Sequence, residues 1–391
     1  MDKHFETLAV RTQSGQTLHK EHAVPLYLTS SFTFDNAEEM RAAFADETDA
    51  NIYSRFSNPN TDEFAEKLAL LEGAEAGYAT ASGMGAVFAS FMAFLKSGDH
   101  LLVCRSVFGS THTVLTKYLS RWGITHSYFD ADKPESIEGL IQKNTKMIFV
   151  ETPSNPGLDI IDLELLGKIA NKHNVLLNID NCFATPYLQQ PIKYGAHIVT
   201  HSATKFIDGQ GRVLGGAVVG KKELIKEVYL FCRATGPALS PFNAWVLSKS
   251  LETLAVRMDR HCDNALKLAK ALQKNKFVDH IKYPFLETHP QYSIAKKQMK
   301  QGGGIVTFNI KAGIEQGKKF LDALQICSLT ANLGDTRTIA THPASTTHAK
   351  LSEEERQAVG ITPGLVRISA GLEHVDDIIN DIEQALLVSG N

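Results

Sequence analysis

The sequence predicts an α/β protein built on a mainly parallel β-sheet. Between residues 61 and 200, short apolar runs typical of buried strands alternate with segments of helical periodicity. Such alternation favours βαβ units, in which the strands run parallel and helices cover both faces of the sheet. A length of 391 residues is sufficient for two or three domains with a substantial buried core.

The first 51 residues show no regular period, which predicts an extended arm of the kind that often packs on a partner subunit. A helix is expected over residues 61–71, where apolar side chains recur at helical spacing and Asn60 or Thr61 can cap the start. The pattern then predicts, in order, an apolar helix from Met84, a strand over 100–104, a helix over 111–122 and a strand over 125–129.

The clearest part of the pattern follows. Strands are predicted over 147–150, 175–179 and 198–200, with a helix over 163–173 and a shorter helical piece over 185–194 between them. Each strand is followed by a polar cluster: ETPSNP from Glu151, DNC from Asp180 and HSATK from His201. Because ligands of such sheets lie beyond the carboxyl ends of the strands, these clusters are expected to meet at one rim.

Composition excludes several classes of partner and site. A net charge of -3 with both signs spread along the chain gives no footprint for nucleic acid or an acidic membrane surface. The apolar stretch over 79–95 is too short and too polar for a membrane span, and the first ten residues do not form a signal peptide, so a cytoplasmic protein is predicted. Five scattered cysteines and the lack of a His-Glu-x-x-His motif indicate neither a disulfide framework nor a metal site.

The polar clusters supply the groups that a phosphorylated pyridine aldehyde requires. Lys205 offers an amine for the aldehyde, and Asp180 offers a carboxylate that can keep the ring nitrogen protonated. Ser202 and Thr204 offer hydroxyl groups, while the glycine-containing turn ASGMG over 81–85 opens a helix whose N–H groups can bind a phosphate. These residues predict a pyridoxal 5'-phosphate (PLP) site.

Each signal alone has a plainer interpretation. A single lysine after a strand is usually solvated, and Asp180 could merely cap the next helix. The stretch GQGRVLG over 209–215 does not follow a strand directly and lacks the spacing of a dinucleotide-binding loop. The prediction depends on several weak signals that agree in position and in chemistry.

The sequence resembles the trans-sulfuration enzymes, the cystathionine γ-synthase family of PLP enzymes. The resemblance lies in YSRFSNP (53–59), ASGMG (81–85), ETPSNP (151–156), DNCFATP (180–186), HSATK (201–205), SLTANLG (328–334), THPASTTH (341–348) and VRISAGLE (366–373). It covers nearly the whole chain and implies the aspartate aminotransferase-like fold, fold type I. It further implies an arm over 1–60 that contacts the partner subunit, a PLP-binding large domain over 61–250 and a smaller C-terminal α/β domain over 251–391.

The resemblance also implies roles for the residues that hold the cofactor. Lys205 would bind PLP covalently and then move the substrate's protons, and Asp180 would pair with the pyridine nitrogen. Phosphate ligands would come from Ser202, Thr204 and the backbone of Gly83 and Met84. In a homotetramer of two dimers, Tyr53 and Arg55 of the neighbouring subunit would complete the site, and Tyr53 would also serve in catalysis.

For the substrate, the resemblance implies a small amino acid whose α-carboxylate is held by Arg367, with Ser328 nearby and Asn155 close to both substrate and ring hydroxyl. A guanidinium fork matches a carboxylate in a bidentate manner. The plainer interpretation places Arg367 on the solvent face of a strand with Leu365 and Ser369.

One departure concerns the residue that stacks on the cofactor ring, which is a tyrosine in many relatives and Phe108 in VFGST (107–111) here. Phe108 can stack but cannot transfer a proton, so any phenol-dependent step must use Tyr53 or be absent. The stretches around Asp180, DGQGR (208–212) and GPALSPFNAW (236–245) look most like the O-succinylhomoserine sulfhydrylase branch.

The branch implies replacement of the succinyl group of O-succinylhomoserine by sulfide, which gives homocysteine for methionine biosynthesis. Within the family, O-acetylhomoserine sulfhydrylase, cystathionine γ-synthase and methionine γ-lyase remain alternatives. A non-catalytic regulator that retains PLP and a cofactor-free binding module on the same fold are alternatives from other classes, because a fold does not determine a function.

Overall fold

Helices and strands alternate over the first 251 residues. The computed structural model describes residues 3–311, 313–350, 352–358 and 360–390. Up to residue 251 the elements are α1 (Phe5–Arg11), α2 (Ala37–Phe44), α3 (Pro59–Glu72), β1 (Ala76–Thr80), α4 (Gly83–Met92), β2 (His100–Cys104), α5 (Gly109–Thr113), β3 (Thr125–Phe129), α6 (Ile137–Leu140), β4 (Thr145–Glu151), α7 (Leu163–His173), β5 (Leu176–Asp180), α8 (Thr185–Leu188), β6 (Ile198–Ser202), β7 (Gly216–Gly220), α9 (Lys222–Thr235) and α10 (Pro241–Leu251).

Seven of these strands form one sheet in the order β1-β7-β6-β5-β4-β2-β3. The five strands from β6 to β3 run parallel, and β7 pairs antiparallel with both of its neighbours. Helices cover both faces, because buried strand residues alternate between two apolar clusters. Ile148 and Val150 belong to one cluster, whereas Met147 and Phe149 belong to the other, which also contains residues of α4.

The rest of the chain builds a second, smaller sheet. Its elements are α11 (Leu254–Leu272), β8 (Val278–Lys282), α12 (Tyr292–Gln298), β9 (Ile305–Ile310), α13 (Ile314–Ala323), β10 (Ser328–Leu329), β11 (Ile339–Thr341), α14 (Glu353–Ala358), β12 (Leu365–Ser369) and α15 (Val375–Ser389). The strand order is β10-β11-β12-β9-β8, and all neighbours except β10 and β11 are antiparallel. Helices α11, α13 and α15 pack an apolar core against this sheet.

The structure differs from the sequence predictions at several elements. The N-terminal segment contains α1 and α2 in addition to extended chain, although α1 buries only Ala9. The helix predicted over 111–122 is divided into α5, a π-helical turn over Val114–Tyr118 and a 3-10 turn over Leu119–Trp122. Strands β1 and β7 were not predicted, because their sequences AGYAT and GAVVG are rich in glycine and alanine.

The carboxyl ends of the three predicted central strands extend by one or two residues. As a result, Glu151, Asp180 and Ser202 are the last residues of β4, β5 and β6, although each was expected just after its strand. Among the described residues, we find no helix with both the length and the apolar character needed to cross a bilayer.

Candidate active site

Three adjacent strands end in polar side chains at one edge of the large sheet. Glu151 lies opposite Asp180 in the register of β4 and β5, and Asp180 lies opposite Thr200 in β6. Side chains alternate along a strand, so Glu151 shares a face with Met147 and Phe149, which belong to the cluster that contains α4 residues. The three strand ends and the start of α4 therefore border one site.

The first turn of α4 provides an anion-binding backbone. Ser82 caps the helix by accepting a hydrogen bond from the N–H of Gly85 at 3.1 Å. The N–H groups of Gly83 and Met84 belong to the first turn and therefore have no acceptor within the helix. A Cβ on Gly83 would lie 2.5 Å from the Cβ of Ser202, so the close contact between α4 and the end of β6 requires glycine. This cradle has the form of a phosphate site.

Lys205 lies in the turn that follows β6. Its Nζ donates a 2.7 Å hydrogen bond to the Oδ1 of Asn332, which lies in the loop between β10 and β11. Burial lowers the pKa of Lys205, and the positive charge of Arg367 acts in the same direction. A larger fraction of the amine is therefore neutral near pH 7, which is the form that attacks an aldehyde.

Asp180, which is half-buried, and Glu151, which is buried, form a pair of carboxyl groups at adjacent strand ends. Burial raises the pKa of Asp180 to about 6, although the N–H of Cys182 donates to its Oδ1 at 3.0 Å. Burial also raises the pKa of Glu151, and the neighbouring charge of Asp180 adds to the shift. Two such carboxyl groups cannot both ionise easily, so a cation placed beside Asp180 would favour its charged form.

Arg367 is buried in β12 and does not face solvent. It donates from Nη1 to the Oδ1 of Asn155 at 2.9 Å, and from Nη2 to the carbonyl of Asn332 at 3.2 Å and the hydroxyl of Thr341 at 3.3 Å. No described carboxylate forms an ion pair with it, and its Nε has no hydrogen-bond partner among the described residues. Burial lowers the pKa of Arg367 to about 10. A buried cation without a counterion fits an anionic ligand.

Phe108 lines a cavity of about 600 Å³ that also reaches Asn155 and Pro156. Its backbone N–H donates to the Oε2 of Glu151 at 2.8 Å, which fixes the start of α5 relative to the end of β4. Phe108 is 41% exposed. The ring is therefore accessible to a planar ligand held between the strand ends and α5.

The structure does not bring every predicted site residue to this place. The Thr204 hydroxyl donates to the carbonyl of Gly215 and accepts from its N–H, so it closes a turn. Ser328 lies in β10, two strands away from Arg367 in sheet order, and its N–H donates to the carbonyl of Thr338. Asn332 takes the position beside Arg367 that was expected for Ser328.

Tyr53 is exposed, and Arg55 is half-buried. The guanidinium of Arg55 donates to the carbonyl of Arg233 and lies 4.8 Å from the centre of the Phe56 ring. Tyr53 is 41% exposed. Within the described part of the chain, neither residue has a hydrogen bond to Lys205, Asp180 or Ser202.

Two residues of the site, Asn332 and Glu151, were not predicted from the sequence. Asn332 contacts both Lys205 and Arg367, and Glu151 holds the N–H of Phe108. Both belong to stretches that carried the family resemblance, but neither was given a role. The sequence offered one signal for Asn332, which is the glycine two residues later, because a glycine in a loop often marks a tight turn. In the structure Gly334 has a φ of 75°.

This set of groups fits a phosphorylated pyridine aldehyde. Lys205 supplies the amine, Asp180 the carboxylate for a ring nitrogen, and the first turn of α4 the donors for a phosphate. Within the described ranges, no group of three or more His, Cys, Asp or Glu side chains is arranged to hold a metal ion.

Comparison with known proteins agrees with this chemistry. The family model described as Cys/Met metabolism PLP-dependent enzyme matches residues 6–387. The O-succinylhomoserine sulfhydrylase of Pseudomonas aeruginosa is 47% identical over 382 residues, which cover 98% of this chain and 95% of the relative. The L-methionine gamma-lyase of Fusobacterium nucleatum subsp. polymorphum is 44% identical over 97% of both chains.

A solved structure from Campylobacter jejuni, assigned as an O-acetylhomoserine (thiol)-lyase, superposes with a TM-score of 0.94 at 36% identity. The superposition covers 98% of this chain and 99% of the other. That structure carries N'-pyridoxyl-lysine-5'-monophosphate at its position 205.

Proposed function

Since the chain belongs to the Cys/Met metabolism PLP-dependent enzyme family, we propose that it replaces the succinyl group of O-succinylhomoserine with sulfide and forms homocysteine. Membership confirms the predicted resemblance, fold type I, the enzymatic character and PLP as the cofactor. The chain is thus an enzyme of the trans-sulfuration type, and its substrate is the part that we propose.

The observation that carries the proposal is the pairing of Lys205 with Arg367 through Asn332. The amine donates to the side chain of Asn332, and the buried guanidinium, which has no ion pair among the described residues, donates to the backbone carbonyl of the same residue. Both groups therefore border one residue, which suits a ligand with an amino group and an α-carboxylate. Among amino acids, the O-succinyl ester of homoserine is favoured by the relative at 47% identity. Sulfide is small, so the site needs no second large pocket to bind the nucleophile.

We assign the chain's residues as follows. Bound PLP supplies an electron sink for the carbanion formed at the substrate. Asp180 holds the ring nitrogen in its protonated state through a charge-assisted hydrogen bond, and Ser202, Thr204, Gly83 and Met84 bind the phosphate. Thr204 must give up its hydrogen bond to Gly215 to take part.

Lys205 removes and returns the substrate protons, because its lowered pKa increases the fraction of neutral amine that can act as a base. Arg367 and Asn155 orient the α-carboxylate, and Phe108 covers the ring without transferring a proton. Ser328 does not contact Arg367 in this structure. It would support substrate binding indirectly, because its N–H bonds to the carbonyl of Thr338 at the base of the loop that carries Asn332.

Methionine γ-lyase is the second candidate, because such a lyase is 44% identical over nearly the same length. O-acetylhomoserine sulfhydrylase is supported by the Campylobacter jejuni structure. A non-catalytic regulator is disfavoured, because the amine, the strand-end carboxylate and the carboxylate clamp are all retained.

Turnover of the purified holoenzyme tests these candidates together. O-succinylhomoserine and O-acetylhomoserine are each offered with sulfide and with cysteine, and methionine is offered alone. The proposal expects the highest kcat/KM for O-succinylhomoserine with sulfide and homocysteine as product. A Lys205→Ala variant serves as the control and should lose both the cofactor's lysine-linked absorbance and turnover. Faster release of methanethiol from methionine would favour the lyase instead.

We further propose a homotetramer of two dimers with sites shared between subunits, in which residues 1–60 form the arm that contacts the partner. Residues 61–250 would be the PLP-binding domain and residues 251–391 the smaller one. A cytoplasmic location stays a prediction from the sequence.

A further inference from the structure

The cavity beside Phe108 is lined by basic side chains that take no part in holding the substrate's α-carboxylate. Among the described residues that line it, Arg105, His112, His348 and Lys350 are basic, and none is an aspartate or glutamate. Burial lowers the pKa of both histidines. The permanent charges of the cavity wall at neutral pH are therefore those of Arg105 and Lys350.

Arg105 is held in place but keeps free donors. Its Nε donates to the Oδ1 of Asp130 at 2.8 Å, and its guanidinium carbon lies 5.2 Å from the centre of the Tyr128 ring. Its two terminal nitrogens have no acceptor within the described part of the chain, and its side chain is 46% exposed. A guanidinium that is oriented by two contacts can bind a carboxylate with little further loss of entropy.

Lys350 lies on the other side of the cavity, in the segment that follows β11. It is exposed and has no ion pair among the described residues. A flexible ammonium of this kind adds attraction for an anion without fixing its geometry. Arg105 is therefore the specific contact, and Lys350 the supporting one.

We propose that Arg105, assisted by Lys350, binds the terminal carboxylate of the substrate's acyl group and thereby selects a succinyl ester over an acetyl ester. The inference rests on the proposed function. Asn155 connects the two ends of the ligand, because it lines the same cavity and accepts a hydrogen bond from Arg367. A substrate held by its α-carboxylate at Arg367 extends its acyl chain into the cavity.

The two esters differ in the group that reaches this wall. A succinyl chain ends in a carboxylate, whereas an acetyl group ends in a methyl and leaves the Arg105 donors to water. A site that hydrogen-bonds a charged group discriminates strongly against an analogue without that group. Because the Arg105 side chain is partly solvated, we expect a moderate effect, on the order of tenfold in kcat/KM.

The experiment compares both esters with sulfide in the holoenzyme. Arg105→Gln should lower kcat/KM for O-succinylhomoserine about tenfold, mainly through KM, and leave O-acetylhomoserine within about twofold. Asp130→Asn is the matched control, because it removes the charge of the ion pair but retains both the cation and an oxygen that accepts from the Arg105 Nε, so the preference for O-succinylhomoserine should not fall. Lys117→Gln removes a charge on the π-helical turn after α5 that does not line the cavity, and it should also leave the ratio unchanged.

A binding measurement separates the inference from the proposed function. Calorimetry with succinate should show about tenfold weaker binding to Arg105→Gln holoenzyme than to wild type, with no such change for acetate. An unchanged ester ratio in a variant that still uses O-succinylhomoserine would overturn the subsite and leave the proposed function intact. If the wild type used neither ester, the proposed function would fail, and equal succinate binding by both proteins would overturn the subsite as well.

Discussion

At the scale of single residues, Asp180 is unfavourable to ionise in the folded chain. Its pKa in the folded chain is raised by burial to about 6, above the unfolded value. Stability from the protonated form is therefore complete below the unfolded pKa and is lost as the pH rises through the folded pKa. A protonated pyridine nitrogen beside Asp180 would reverse this effect, because it would favour the charged form.

The cofactor-free protein should reveal this cost. Wild type should lose about 1 kcal/mol of stability relative to Asp180→Asn between pH 5 and pH 8, because only wild type must ionise a buried carboxyl group. Unfolding of both proteins is measured at several pH values by circular dichroism in urea. Parallel stability curves would show that Asp180 ionises without a cost.

Glu151 is expected to act by position and not by charge. Burial raises its pKa, and its Oε2 can accept the hydrogen bond from the N–H of Phe108 without carrying a charge. Glu151→Gln keeps an acceptor and should leave the PLP dissociation constant within about threefold, whereas Glu151→Ala leaves a buried donor without a partner at a cost of about 1–3 kcal/mol. PLP affinity and Tm are measured for both. An equally damaging Gln variant would instead indicate that the charge is required.

How far the site could be predicted varies between residues. Lys205 and Asp180 stood out because each follows a predicted strand, and a short parallel strand fixes where its next residue lies. Asn332 did not stand out, because its place depends on how a loop of the small sheet packs over the turn of Lys205. A Cβ on Gly334 would lie 2.6 Å from the N of Phe206, and no local pattern reveals such a contact.

At the scale of elements, the first turn of α4 and the end of β6 are fitted to each other. Gly83→Ala would place a Cβ 2.8 Å from the Cα of Ser202, so backbone must move. We expect at least about tenfold weaker PLP binding and a loss of about 1–3 kcal/mol in stability. Spectroscopic titration with PLP and thermal unfolding measure the two effects.

Gly85→Ala is the matched control in the same turn. Its Cβ would meet its nearest neighbour, the Oγ of Ser82, at 3.4 Å, which is ordinary contact. Alanine is also the better helix former, so this variant should bind PLP normally and be equally or more stable than wild type. Equal losses in both variants would mean that any side chain in this turn is harmful, and the specific fit to β6 would be wrong.

The elements also differ in how clearly the sequence predicts them. The central parallel strands β4, β5 and β6 were predicted because buried strands of this type are continuous apolar runs. Strand β7 was not predicted, because two of its five residues are glycine. One of them, Gly216, packs so closely that a Cβ on it would lie 2.2 Å from the carbonyl oxygen of Ser82. Packing between elements, not propensity, makes β7 a strand.

At the scale of the whole molecule, the site is assembled from both sheets. Asp180 and Lys205 lie at the ends of large-sheet strands or in the turns after them. Arg367 lies in a strand of the small sheet, and Asn332 lies in a loop between two of its strands. The alternation of apolar runs with segments of helical periodicity predicted the large sheet. No local sequence pattern predicts how the second sheet lies against it. The resemblance to a known family supplied that information, including the expectation that Tyr53 and Arg55 serve a neighbouring subunit.

The shared site is the prediction that only an assembly can test. Arg55 and Lys205 have no hydrogen bond to each other within the described chain, and the half-buried Arg55 donates to the carbonyl of Arg233. If Arg55 serves the partner's phosphate, a dimer of one Arg55→Ala chain and one Lys205→Ala chain contains one site with both defects and one with neither. Mixing the two nearly inactive variants under conditions that exchange subunits should therefore restore activity, up to about half of the wild-type rate per mixed dimer.

Differently tagged chains allow the hybrid to be isolated before its activity is measured. A hybrid of Lys205→Ala with Asp180→Asn is the matched control, because both residues belong to the site of their own chain and both sites of that hybrid stay defective. Recovery with Arg55→Ala but not with Asp180→Asn is expected. If Arg55 acted within its own chain, the two hybrids would be equally inactive, because no combination of these chains would then contain an intact site.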